Sequence, residues 1–257
     1  MTELRERSVQ VRGEPCRVWE KGTGAPVGYL AGLGGLLEWT PFLDRLAESR
    51  RVIVPSLPGF PGATGHHQLD TTLDWISATL DLLEAADLEG ADLIGASVGG
   101  TLAAEVAAIS PRMPRKLVLE APFGLFDEGE PVTDPWAQPP GSLPQLLAAH
   151  PERLGMSPPE DADAIEWQVL LVRASEAAAR LLWPTTDTGL GSRLHRVRAP
   201  TLLIWGSADA IIPASYAKRF ADKISGPTQL RSIEAAGHLV DRDAPDAVAE
   251  AVLEFLA

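Results

Sequence analysis

The sequence predicts an α/β fold: a mainly parallel central sheet with helices on both faces. Three observations lead there. Short runs of buried-type apolar residues, near 26–31, 51–54, 91–94, 116–119 and 201–205, alternate with stretches of amphipathic helical periodicity. Several of these runs end abruptly in glycine-rich or polar turns. The alternation is interrupted once, between Ala121 and about Arg196, and then resumes.

In chain order, residues 8–11 and 16–20 alternate polar and apolar around Arg12-Gly13-Glu14-Pro15, which predicts an antiparallel hairpin. The strand at 26–31 breaks into Gly32-Leu33-Gly34-Gly35. An amphipathic helix over roughly 38–48, a strand at 51–54 and a proline- and glycine-rich loop follow, then a helix across about 71–86. The apolar run 91–94 passes through Gly95-Ala96-Ser97-Val98-Gly99-Gly100 into a helix that closes before Pro111, since proline cannot continue it. Residues 116–119 form the next strand.

The following stretch is rich in proline and carries no strand pattern. A long helix is expected from about Pro158 to Trp183, opened by a capping box at Ser157-Pro158-Pro159-Glu160 and stopped by Pro184. Residues 122–196 therefore read as a helical cap, or lid, over the carboxyl edge of the sheet, where open α/β sheets bind ligands. Residues 1–121 and 197–257 read as the core domain. The core resumes with a strand at 200–205 ending in Gly206-Ser207-Ala208-Asp209, then a helix near 213–222. A strand at 228–233 leads to Ala236-Gly237-His238, and a last helix starts near Pro245, with proline in its first turn.

A formal net charge of −13 argues against nucleic acid or an anionic membrane as partner, since both are polyanions. A single cysteine, Cys16, excludes an internal disulfide and a multi-thiolate metal site. The N-terminal residues lack the apolar stretch of a signal peptide, and no run approaches membrane-spanning length. The expectation is a cytoplasmic monomer or homodimer acting on a small-molecule substrate.

Ser97, flanked by glycines at a strand-to-helix turn, has the nucleophile-elbow pattern. The chain reverses sharply there, holds the hydroxyl out from the sheet edge and leaves no room for side chains at Gly95 and Gly99. A serine hydroxyl needs a base to act as a nucleophile at neutral pH. Of five histidines, His238 follows a strand at the elbow's end of the sheet. His66 and His67 sit in a polar loop, His150 precedes a proline, and His195 lies among charged residues.

An acid must orient the imidazole. Asp209, just past a buried strand, is favoured, with Glu120 at the end of another strand as its rival. An oxyanion hole needs two amide donors. Val98 supplies one at a helix start, and Leu33 is favoured for the second, with Gly34 as fallback. The glycine loop is not a dinucleotide fingerprint, because Leu37 stands where a third glycine is required. His66, His67 and Asp70 lack the helical spacing of metal ligands, so no metal or cofactor is expected. Trp136, Trp167 and Trp183 are packing residues first, and together with Phe123, Leu125 and Phe126 they are the candidates for lining an apolar pocket.

With these residues in place, the sequence resembles the α/β-hydrolase superfamily over nearly its whole length. It looks most like members with a helical cap inserted after the sixth strand. The elbow at Ser97, the acid loop Trp205-Gly206-Ser207-Ala208-Asp209 with Ile212-Pro213, and Ala236-Gly237-His238 carry the resemblance, in the family's order of serine, aspartate and histidine. It implies a cofactor-free serine hydrolase cleaving a small or medium carboxylic ester, lactone or thioester through an acyl-enzyme on Ser97. Carbon–carbon bond hydrolysis of a dienoic ketone by the same residues is the alternative, and a ligand sensor on this fold is a third reading.

The sequence departs from the family's pattern in places. Ala31-Gly32 stands where the oxyanion loop usually begins His-Gly, and Ser56-Leu57-Pro58-Gly59-Phe60-Pro61 replaces the usual Asp-x-Pro-Gly-x-Gly. Serine at position 97 separates the chain from the aspartate-using dehalogenase and epoxide-hydrolase branches. Leu239 occupies the place where carbon–carbon bond hydrolases commonly carry tryptophan.

Overall fold

The computed structural model describes residues 2–139, 141–158 and 162–257. The hairpin β1 (Arg5–Val11) and β2 (Glu14–Lys21) joins β3 (Pro26–Leu30), β4 (Arg51–Pro55), β5 (Asp92–Ala96), β6 (Leu117–Glu120), β7 (Thr201–Gly206) and β8 (Thr228–Ile233). They form one eight-stranded sheet in the order β1-β2-β4-β3-β5-β6-β7-β8. β1 and β2 pair antiparallel, as do β2 and β4, and the remaining pairs are parallel. From β3 the chain steps outward to β4 and then back across to β5. The strand order therefore reverses between β3 and β5, the kind of position at whose carboxyl ends open α/β sheets bind ligands.

The central strands are apolar because both of their faces are covered. On β6, Leu117 and Leu119 join one core while Val118 joins the other. On β7, Leu203 and Trp205 face the first core and Leu202 and Ile204 the second, the two-residue period of a strand. Helices α2 (Thr72–Ala85), α3 (Ser97–Ile109) and α6 (Ser215–Ala221) contribute to the first core. Helices α1 (Pro41–Ala47) and α8 (Pro245–Leu256) contribute to the second. β8 ends the sheet and leaves most of its residues in solvent, with Arg231 among them, which suits an edge strand.

Helix starts follow local chemistry. Thr40 caps α1 ahead of Pro41, and Thr71 and Asp74 form a reciprocal capping box on α2. A short helix, α7 (Val240–Asp243), lies between His238 and α8.

Between β6 and β7 the chain carries α4 (Leu143–Leu147) and α5 (Ala164–Leu182), with no strand among the described residues. The start of α5 differs from expectation. Asp163, not Ser157, is its N-cap, accepting from the amides of Ile165 and Glu166 at 2.8 and 3.2 Å. The paired prolines after Ser157 disfavour helical geometry in the residue before each of them, whereas Asp163 has free chain ahead of it. Pro159 and Glu160, the rest of the expected box, lie outside the described residues. The segment returns to the core through Arg193, whose guanidinium forks onto Glu105 of α3 at 2.8 and 2.5 Å. Glu105 is 1 % exposed.

Candidate active site

Ser97 is the first residue of α3 and follows β5 directly. Its φ of 51° is left-handed, an uncommon conformation for a residue with a side chain. The turn is crowded on its far side: a Cβ on Gly99 would lie 2.3 Å from the Leu30 carbonyl oxygen, at the end of β3. The Thr101 hydroxyl donates to the Phe123 carbonyl at 3.2 Å, tying α3 to the loop after β6.

Three strand-end loops meet at this point. His238 Nε2 lies 2.8 Å from Ser97 Oγ, and His238 Nδ1 lies 3.0 Å from Asp209 Oδ2. The other Asp209 oxygen accepts from the amides of Ile211 and Ile212 at 2.8 and 2.9 Å. Asp209 thus acts as acceptor on both oxygens, so Nδ1 carries the proton towards it and Nε2 is left to accept from Ser97. Ser97 and the side chains of His238 and Asp209 are fully buried. In that setting their hydrogen bonds are not shared with water.

Glu120 occupies the equivalent strand end on β6, in register with Ala96. It is buried, yet neither carboxyl oxygen has a hydrogen-bond partner. Burial, with the nearby Asp241 charge adding to it, pushes its pKa well above the usual carboxylate range. Asp241 is also raised by burial, and its Oδ2 accepts from the Tyr29 hydroxyl at 2.9 Å. The His238 ring nitrogens bond to Ser97 and Asp209, and Glu120 takes no part.

The loop after β3 reaches the serine. A Cβ on Gly32 would sit 2.6 Å from Leu239 Cδ2 and 3.1 Å from Ser97 Cβ, so glycine gives the backbone room to pass this close. Leu33 follows, buried, and Gly35 closes the turn with a 2.9 Å bond to the Gly32 carbonyl. Val98, on the other side, lies in the first turn of α3, where amides have no intrahelical acceptor. A cavity of about 20 Å³, roughly the room of one water, is walled by Leu33, Leu147, Leu154, Met156 and Leu239, with Arg242 at its side.

The aromatic candidates separate. The Phe123 ring packs edge-on against His238, with centroids 5.4 Å apart. Phe126 is half-buried. The indole of Trp136 donates to Ser175 Oγ on α5 at 3.1 Å, and that of Trp167 to the carbonyl of Met156 at 2.9 Å. Both are braced inside the segment, and Met156 in turn lines the cavity. Trp183 departs from expectation: it is 62 % exposed and turns to solvent where α5 ends.

Asp243, five residues after His238, is buried and accepts from the Gly237 amide at 2.6 Å. Among the described residues no helix is long and apolar enough to cross a membrane, and no metal-holding cluster of acidic, histidine or cysteine side chains occurs.

Comparison with known proteins agrees with this architecture. The model of the alpha/beta hydrolase family matches residues 30–251. The dihydrolipoyllysine-residue acetyltransferase component of an acetoin-cleaving system from Pseudomonas putida is 31 % identical, across 97 % of this chain and 69 % of its own length. A 2-hydroxymuconate semialdehyde hydrolase from a Pseudomonas species is 28 % identical, across 98 % of this chain and 93 % of its own length. The crystal structure of a serine hydrolase involved in carbazole degradation superposes with a TM-score of 0.78, covering 99 % of each chain at 24 % identity.

Proposed function

The chain belongs to the alpha/beta hydrolase family, and from that premise we propose a serine hydrolase cleaving small or medium carboxylic esters, lactones or thioesters. The observation that carries this reading is the buried relay from Ser97 Oγ to His238 Nε2, 2.8 Å, and from His238 Nδ1 to Asp209, 3.0 Å. An unused serine, histidine and aspartate would gain nothing from being aligned, desolvated and hydrogen-bonded in this order.

In the proposed reaction Ser97 Oγ attacks the substrate carbonyl while His238 Nε2 takes its proton. Asp209 holds the imidazole in the tautomer required and stabilises the imidazolium that forms. The amides of Val98 and Leu33 receive the oxyanion of the tetrahedral intermediate. His238 returns the proton to the leaving alcohol or thiol, and the acyl group stays on Ser97. Water, deprotonated by the same histidine, then releases the acid and restores the serine. Residues 122–196 act as a lid in this scheme. Ser97 and His238 are buried, and in this scheme the lid lifts before substrate enters.

Incubation with a fluorophosphonate, followed by intact-mass measurement and peptide mapping, tests the assignment. One adduct per chain on Ser97 is expected, and none on Ser97→Ala. Modification elsewhere, or none in the native protein, overturns it.

Hydrolysis of a carbon–carbon bond in a dienoic ketone is the second reading. It is favoured by the 28 % identity to a 2-hydroxymuconate semialdehyde hydrolase over nearly the full length of both chains. It would use the same relay, with Leu239 rather than tryptophan beside the histidine. Turnover of p-nitrophenyl esters against a ring-fission dienoate separates the two.

A further inference from the structure

Asp243 closes α7 and is 3 % exposed. Its carboxylate collects three backbone amides from two distant stretches of chain. Oδ2 accepts from Gly237 at 2.6 Å and from Ala149 at 2.8 Å, while Oδ1 accepts from His150 at 2.8 Å. On the other side of the histidine, the Leu239 amide donates to the Leu147 carbonyl at 2.8 Å. The Arg153 guanidinium donates to the Asp243 carbonyl as well.

The amides flanking His238 on both sides are therefore bound up with residues 147–150, which belong to the segment between β6 and β7. The contact is close: a Cβ on Gly237 would lie 2.7 Å from the Ala149 nitrogen. Amide bonds to a charged, buried acceptor are about twice as strong as neutral ones, so the junction is firm while closed. Losing it would leave the carboxylate with one of its three amide donors.

We propose that Asp243 is a positioning residue that couples the seating of the helical segment to the placement of His238. The inference rests on the reading of His238 as the base of a serine hydrolase. With the segment seated, Asp243 holds Gly237 and the imidazole stays aligned between Ser97 and Asp209. With the segment raised, the same carboxylate loses Ala149 and His150, the Leu239 amide loses Leu147, and the histidine loop is held by the Gly237 bond alone. Proton transfer from Ser97 is thereby tied to closure over the substrate.

Asp243→Asn tests this, because an amide group in either orientation sets an N–H₂ against at least one backbone N–H. The fluorophosphonate labelling rate of Ser97 should fall by about 10²-fold, the size of effect expected from a small misplacement of a reacting group. The low-field proton resonance of His238 Nδ1 in its bond to Asp209 should shift or vanish in folded protein, as judged by circular dichroism. A merely structural role would lower the melting temperature and leave that resonance where it is. Asp246→Asn, at a solvent-exposed carboxylate three residues on, should match the native protein in both readouts.

If Asp243→Asn does not fold, Ala149→Pro decides. It replaces the N–H that reaches Asp243 Oδ2 with a ring carbon, and Ala148 already has the extended geometry that proline requires before it. Native labelling rate and native resonance in a folded variant overturn the proposal. Absence of labelling in the native protein overturns the serine-hydrolase reading instead, and the resonance then decides the positioning claim alone.

Discussion

The carboxyl ends of β6 and β7 lie side by side in the sheet, and each delivers a buried acid, yet the two acids differ in chemistry. Asp209, after β7, has both oxygens occupied by His238 and by two loop amides. Glu120, at the end of β6, has neither oxygen occupied, and burial drives it towards its neutral form. Position at a strand end brings an acid to the site. The loop that follows decides whether it can hold a histidine. After β7 the chain turns tightly and offers Ile211 and Ile212 amides; after β6 it leaves for the helical segment and offers none to Glu120.

Breaking the β7 side should have the largest effect. Asp209→Asn keeps the shape but favours the wrong imidazole tautomer, so kcat on a p-nitrophenyl ester should fall by about 10⁴-fold. Raising the pH to ionise Glu120 should not restore it, since His238 makes no bond to that residue.

Next in size is the far end of the segment that separates the two strands. Arg193→Met leaves the Glu105 carboxylate buried and unpaired, which should cost about 3–5 kcal/mol of stability in urea unfolding. A loss near zero would mean that Glu105 finds another partner or takes a proton.

Glu120→Gln sharpens the comparison from the β6 side. It should leave turnover close to native, because burial favours the neutral acid, which glutamine resembles. Its stability effect has a definite sign. The folded pKa of Glu120 is raised above the unfolded value near 4.5, so the folded state binds more protons in the window between them. Stability of the native protein should therefore fall as pH rises from about 4.5 through the folded pKa, and glutamine removes that loss. The gain in melting temperature should be greater at about pH 8 than at about pH 5. Equal gains would show that Glu120 is charged in the fold.

The smallest effect belongs to Trp183→Ala. The indole is 62 % exposed, so kcat/KM should not change, and a clear rise in KM would return it to the pocket wall.

Much of this architecture is legible in the sequence alone. Covered parallel strands must be apolar on both faces, so β3, β5, β6 and β7 announce themselves as continuous runs ending in turn residues. Ser97, His238 and Asp209 were recognisable because each follows such a run, and strand ends on one side of a parallel sheet converge. Other features were not legible. The start of α5 depended on which of two capping residues, Ser157 or Asp163, had a helix-compatible chain after it. Trp183 carries the same apolar surface as Trp136, and only the packing of α5 sends one outward and the other onto Ser175.

The order and spacing of apolar runs and turn residues thus determined the sheet, the covering helices and a shortlist of candidate site residues, because these depend on local periodicity and backbone sterics. Tertiary structure decided between Asp209 and Glu120, placed Phe123 against His238 and gathered three amides onto Asp243. Each of those outcomes includes a contact across tens of residues, beside local bonds such as Gly237 to Asp243. In such a contact the favourable term is a hydrogen bond completed, or left unmade, away from water, and no local pattern in the chain encodes that.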